Sequence, residues 1–224
     1  MGLEKFFDKY DRLVLFDTET TGLDYRRDEI IEFSAVVLER QGVVQEYDQL
    51  ITLSPGGFIP DKIQKLTGIT EMDLRERGLP KTRVCRDIGE MIRGNTLLLA
   101  YNAHFDLSFL YYMLLRDGDP MILKGKDKLD LLTVYRDRHS FPHRLSSAIE
   151  TYGLSGKVVN SHRAIDDVIA TVAVMKAMVA ETDDLPNYVN LFGYLARYGL
   201  DGKPIGSVTY KPQHYDPETP LYEL

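Results

Sequence analysis

At 224 residues, with 44% hydrophobic and 27% charged side chains, the chain suits one globular domain with a sizeable core plus an appended segment, and general disorder is excluded. A single cysteine, Cys85, excludes an internal disulfide, no basic segment followed by an apolar run opens the chain, and no apolar run approaches the roughly 20 residues that span a bilayer; a soluble, cytoplasmic protein is expected. The net charge of −7 excludes the broad basic footprint that grips long duplexes, so any nucleic-acid contact is expected to be local.

Residues 13–16 are four consecutive apolar positions, the pattern of a strand buried on both faces, and Gly22 supplies the turn that ends the segment. Residues 30–38 read as a second, largely buried strand. Gly42 marks a tight connection into residues 43–53, whose β-branched and aromatic residues partly alternate. The three strands together predict an antiparallel meander, closed by Pro55-Gly56-Gly57. From Pro60 the pattern turns helical: Ile63 and Leu66 share a face, Gly68 stops the helix, and Thr70 is placed to cap the next one. A helix over 82–93 and a strand over 96–100 follow, then a helix with Phe105, Phe109, Tyr112 and Met113 on one side, ended by Gly118-Asp119-Pro120. Another α/β unit spans 129–135, with further helices over 145–152 and 164–180. Strands first, then strands alternating with helices, predict a mixed sheet of about five strands covered by helices. In such sheets, sites gather where strands end.

Three polar clusters fall at such ends. In Asp17-Thr18-Glu19-Thr20-Thr21-Gly22-Leu23 the two acids stand two apart, so on a strand they project together while Thr18 faces the other way. Like charges that close repel, which a divalent cation with a taste for hard oxygen ligands relieves; an acidic turn in water is the alternative for this motif taken alone. Asn102-Ala103-His104-Phe105-Asp106 follows a strand and opens a helix, where an acid also complements the helix dipole. His162-Arg163-Ala164-Ile165-Asp166-Asp167 leads into the last long helix in the same way.

Asp17-x-Glu19, Asn102-x-x-Phe105-Asp106 and His162-x-Ala164-x-x-Asp167, in that order and spacing over about residues 12–180, resemble the three motifs of the histidine-containing (DEDDh) branch of the DEDD 3′-to-5′ exonucleases. The resemblance implies a ribonuclease H-like fold and removal of nucleoside 5′-monophosphates from a free 3′ end. It also implies two divalent cations, Mg²⁺ or Mn²⁺. Asp17 would bridge both, Glu19 and Asp167 would complete one site, and Asp106 would hold the other. His162 would be the general base, a role that suits an imidazole because it ordinarily titrates near neutrality. Asp166 lies about 100° around the helix from Asp167 and is expected to face elsewhere.

Thr20, Thr21 and Gly22 offer backbone N–H groups and hydroxyls to a terminal nucleotide, Leu23 offers an apolar contact, and Asn102 stands beside them. The segment with Leu66 resembles one that borders the terminal nucleotide in proofreading relatives, and Phe105 is read either as a stacking ring or as core beneath Asp106. The Asp17 to Gly22 stretch is most similar to proofreading exonucleases of bacterial replicative polymerases, so a single-stranded DNA 3′ end is the expected partner, with a polymerase subunit as a further one. RNA trimming, as in oligoribonuclease and ribonuclease T, is the alternative, beside internal cleavage and an inactive binding module. Domain boundaries are expected at 1–183 for the exonuclease domain and 184–224 for an extension rich in Tyr, Gly and Pro. In the extension a hairpin around Gly202-Lys203 and a short strand over 208–210 are expected, either packed on the core or used for docking.

Overall fold

The computed structural model describes residues 2–200 and 202–224. In chain order the elements are α1 (Glu4–Phe7), β1 (Arg12–Thr20), β2 (Ile30–Glu39), β3 (Gly42–Leu50), α2 (Asp61–Thr67), α3 (Glu71–Arg77), α4 (Lys81–Met91), β4 (Thr96–Ala100), α5 (Ala103–Asp117), β5 (Asp127–Asp130), α6 (Leu131–Arg138), α7 (Leu145–Thr151), α8 (Ala164–Glu181), β6 (Leu191–Tyr194) and β7 (Thr209–Pro212). Five strands form one sheet in the order β3-β2-β1-β4-β5, antiparallel among the first three and parallel from β1 to β5. This is the mixed, helix-covered sheet expected of a ribonuclease H-like fold. The first β-meander needs only short turns, whereas the parallel strands require helical crossovers.

Alternation along β1 sorts the core into two layers. Leu13 and Leu15 face α8 together with Val36, Leu38, Leu97 and Leu99, while Val14 and Phe16 face α4 and α5 together with Phe33, Ala35, Val37 and Leu98. The helices present matching stripes: Val84, Cys85, Ile88 and Met91 of α4 are buried at helical spacing. Thr70 caps α3 in a reciprocal capping box with Asp73, and Gly68 leaves α2 through a left-handed turn at φ 71°. No helix among the described residues is long and apolar enough to cross a membrane.

The hairpin expected around Gly202-Lys203 does not form. β6 and β7 instead pair in parallel, joined by a crossover. Long-range bonding decides this. Asn190 N–H donates to the Lys128 carbonyl at 2.7 Å, Gly193 N–H to Thr133 Oγ1 at 2.9 Å, Gln213 Nε2 to the Thr133 carbonyl at 2.7 Å, and Leu221 N–H to Asp137 Oδ2 at 2.6 Å. The extension thereby follows β5 and α6 and buries Tyr188, Phe192 and Leu221. Losing large core side chains costs about 2–5 kcal/mol each, against a total domain stability of about 5–15 kcal/mol. A chain ending at Leu185 is therefore expected to lose its cooperative melt in circular dichroism. A sharp melt near that of the full chain would show that the extension is dispensable for folding.

Candidate active site

β1 pairs with β2 through Thr20 but with β4 only through Leu15, so from Asp17 onward the strand has a neighbour on one side alone. The strand therefore does not end at Asp17; it runs on for three more residues along β2, open on the β4 side. Asp17 and Glu19 continue the face of Leu13 and Leu15, the face on which α8 lies. Asp167, in the first turn of α8, comes down on them. Asp17, Glu19 and Asp167 each offer a carboxylate oxygen, and the three oxygens lie within 4.8 Å of one another.

Asp106 arrives from the opposite layer. Asn102 takes a left-handed turn at φ 72°, a conformation Asn tolerates, and leads β4 into α5. The carboxylate of Asp130 fixes this turn by accepting the N–H groups of Asn102 and Ala103, both at 3.0 Å. Asp106, buried in the first turn of α5, then accepts two hydrogen bonds from Thr18, from its N–H at 3.0 Å and its hydroxyl at 2.7 Å. Thr18, placed by strand alternation on the face away from Asp17, is thus the residue that ties the fourth carboxylate to the strand. Asp106 stands beside the close trio rather than within it.

Crowding and burial set the charge state. Burial, and then the charges of Asp106, Asp167, Glu19 and Glu32, raise Asp17 well above the ordinary carboxylate range. Burial and the charges of Asp167, Glu32 and Asp106 push Glu19 up to about 8, opposed by the Arg163 guanidinium. Burial raises Asp106 to about 7, against the pull of the Thr18 hydrogen bonds. Asp167 is raised by burial and held back by a hydrogen bond from Asn160 Nδ2 at 2.6 Å and by nearby His162. Four oxygen-donor carboxylates that resist ionisation together fit divalent cations of the Mg²⁺ or Mn²⁺ type, which would remove that resistance. His162 is exposed, in a left-handed conformation at φ 59°, and near enough to Asp167 to act on its charge. Asp166 points away and accepts the Ser161 hydroxyl. Asp166→Ala is expected to stay within about twofold of wild-type kcat, as for a side chain outside the site; a large loss in steady-state assays would contradict its placement.

The loop after β1 uses its polar groups internally. Thr20 Oγ1 donates to the Gly22 carbonyl at 2.6 Å, and Thr21 Oγ1 accepts the Glu29 N–H at 3.0 Å. A Cβ on Gly22 would lie 2.3 Å from Asp28 Oδ2, so a side chain there would displace the carboxylate that accepts the Asp24 N–H. Leu23 is 83% exposed at its tip. Phe105 lies 4.8 Å, centroid to centroid, from Phe109 and packs against the α4–α5 layer. Leu66 is exposed on α2, whereas Ile63 packs against the cluster of Ile31 and Ile59.

Two residues of this neighbourhood escape a sequence reading. Asn160 precedes the third cluster in an unremarkable loop. Glu32 sits within an apolar strand and faces Glu19 directly across the β1–β2 register.

The model of the Exonuclease family matches residues 14–175. The DNA polymerase III subunit epsilon of Treponema pallidum is 34% identical over 170 residues, covering 74% of this chain and 75% of that protein. The PolC-type DNA polymerase III of Clostridium perfringens is 33% identical over 180 residues, of which this chain spans only 12% of the length. Among solved structures, Escherichia coli exonuclease I in complex with a dA16 oligonucleotide shares the fold, with a TM-score of 0.68 at 22% identity over 80% of this chain and 42% of that one.

Proposed function

The chain belongs to the Exonuclease family and is a 3′-to-5′ exonuclease, and we propose that its substrate is the 3′ end of single-stranded DNA, shortened one nucleoside 5′-monophosphate at a time in proofreading or repair. The observation that carries the reading is the convergence of Asp17, Glu19 and Asp167 within 4.8 Å, with Asp106 tied to the same strand through Thr18 and exposed His162 near Asp167. Residues 1–183 would form the exonuclease domain and 184–224 an extension packed on it. The setting would be the cytoplasm, and the relatives named as polymerase III subunits support a replicative polymerase as partner.

The four carboxylates would hold two divalent cations, Mg²⁺ or Mn²⁺, which supply charge neutralisation at the scissile phosphate and stabilise the departing 3′ oxygen. His162 accepts the proton of the attacking water as it approaches phosphorus in line with that oxygen, its exposed position giving it both water and an exit for the proton. Thr18 keeps Asp106 aimed at the strand end, and Asn160 keeps Asp167 turned towards Asp17. Leu23 packs on the terminal base or sugar, and Leu66 and Asn102 border the same nucleotide. Thr20, Thr21 and Gly22 form the loop beside that nucleotide, with both threonine hydroxyls and the Thr21 N–H engaged in holding the loop's own shape. Phe105 acts from beneath, as support for Asp106.

DNA preference is tested by digesting DNA and RNA strands of identical sequence with Mg²⁺ and comparing kcat/KM. The expected result is faster shortening of DNA. Faster shortening of RNA would move the protein to RNA trimming.

A further inference from the structure

Glu32 is completely buried, and it shares its sheet face with Glu19 because residues directly opposite in an antiparallel pair point the same way. A carboxylate placed there, among Asp17, Glu19 and Asp167, is costly unless it is fully paired. The pairing is complete. Arg163 Nε lies 2.9 and 3.2 Å from the two Glu32 oxygens, Arg163 Nη2 also donates to Oε1, and the Ala164 N–H donates to Oε2 at 2.9 Å.

These partners open α8. Arg163 is the residue before its first turn and provides no side-chain cap of its own, so Glu32 caps the helix from across the sheet and places a negative charge at its amino terminus. The capped segment carries two members of the site: His162 immediately before Arg163, and Asp167, whose N–H bonds the Arg163 carbonyl at 3.1 Å one turn on. We infer that Glu32, through Arg163 and Ala164, is a positioning residue for the nuclease reaction, holding the His162–Asp167 segment against Asp17 and Glu19. The inference rests on the exonuclease reading.

The chemistry limits what can replace the pair. Glutamine accepts at one oxygen only and turns its NH₂ towards a donor, and lysine has no planar fork for two oxygens. Glu32→Gln and the more exposed Arg163→Lys are therefore compared with wild type in three ways: circular dichroism melting, Mn²⁺ affinity by calorimetry without substrate, and kcat and KM on a single-stranded oligonucleotide. The expected result for folded Glu32→Gln is a kcat loss of about 30-fold or more, KM within about threefold, and Mn²⁺ affinity about tenfold weaker, with Arg163→Lys intermediate in kcat and affinity. Wild-type kcat and Mn²⁺ affinity in either folded variant would overturn the inference. So would a loss of activity that merely tracks the unfolded fraction. If wild type itself shortened no strand, the functional reading would fail, while the Mn²⁺ affinities would still decide whether Glu32 positions the carboxylates.

Discussion

Asp17→Asn is expected to abolish strand shortening and, in the same protein, to raise the melting temperature of the metal-free form. The loss follows from position. Asp17 is the carboxylate that faces both Asp167 and Asp106, so its removal withdraws several kcal/mol of transition-state stabilisation, on the order of 10⁴-fold in kcat. The gain follows from the charges: Asp17, Glu19 and Asp106 are all raised in the folded chain by burial first, and then by neighbouring carboxylates, Asp106, Asp167 and Glu19 acting on Asp17, Asp167 and Glu32 on Glu19, and Asp130 on Asp106. An acid raised on folding holds its proton longer in the folded state, so it costs nothing below the ordinary carboxylate range. The cost grows as pH rises and is complete once the folded group ionises. For Glu19 that window runs from 4.5 to about 8, and for Asp106 from 3.8 to about 7. Without metal, the wild-type chain should lose stability steadily from about pH 4.5 to 8. Asp17→Asn should recover on the order of 1–3 kcal/mol at pH 8, a few degrees for a chain of this size, and much less at pH 5. Calorimetry in chelator at the two pH values checks this; a variant that melts lower at pH 8 would contradict the crowded-carboxylate account.

The second large effect concerns His162. The left-handed backbone there makes asparagine the cleaner replacement, because Asn tolerates φ near 60° and has no group to accept a proton at neutral pH. His162→Asn should reduce kcat by about 10² to 10⁴-fold and leave Mn²⁺ affinity and melting close to wild type, since the side chain is exposed. His162→Ala should show the same kinetic loss. The loss in both variants is read in steady-state assays from about pH 6 to 9. Full activity of either variant across that range would remove His162 from the base role.

Much of this was legible in the chain itself, and the reasons are periodic. Apolar runs fixed β1, β2 and β4, the punctuation of Gly68, Thr70 and Gly118 fixed helix ends, and period two placed Asp17 and Glu19 together with Thr18 behind them. Asp106 and Asp167 were legible only through the order and spacing of three motifs, because an acid in a first helical turn is common for dipole reasons alone. Glu32 was not legible. One polar residue in Ile30-Ile31-Glu32-Phe33 reads as strand, and its partner Arg163 lies 131 positions away. The extension misled for the same reason: a Gly-Lys pair signals a local turn, whereas Asn190, Gly193 and Gln213 find their partners on β5 and α6. Tertiary pairing overrode the local signal.

The most direct test of the whole account is digestion of a 5′-labelled linear single strand beside a closed circular strand, each with Mg²⁺ and with chelator. A 3′-to-5′ exonuclease built on Asp17, Glu19, Asp106 and Asp167 should give a ladder of single-nucleotide steps on the linear strand only, lost with chelator. Cutting of the circle, or a linear strand left intact by folded protein supplied with metal, would contradict it.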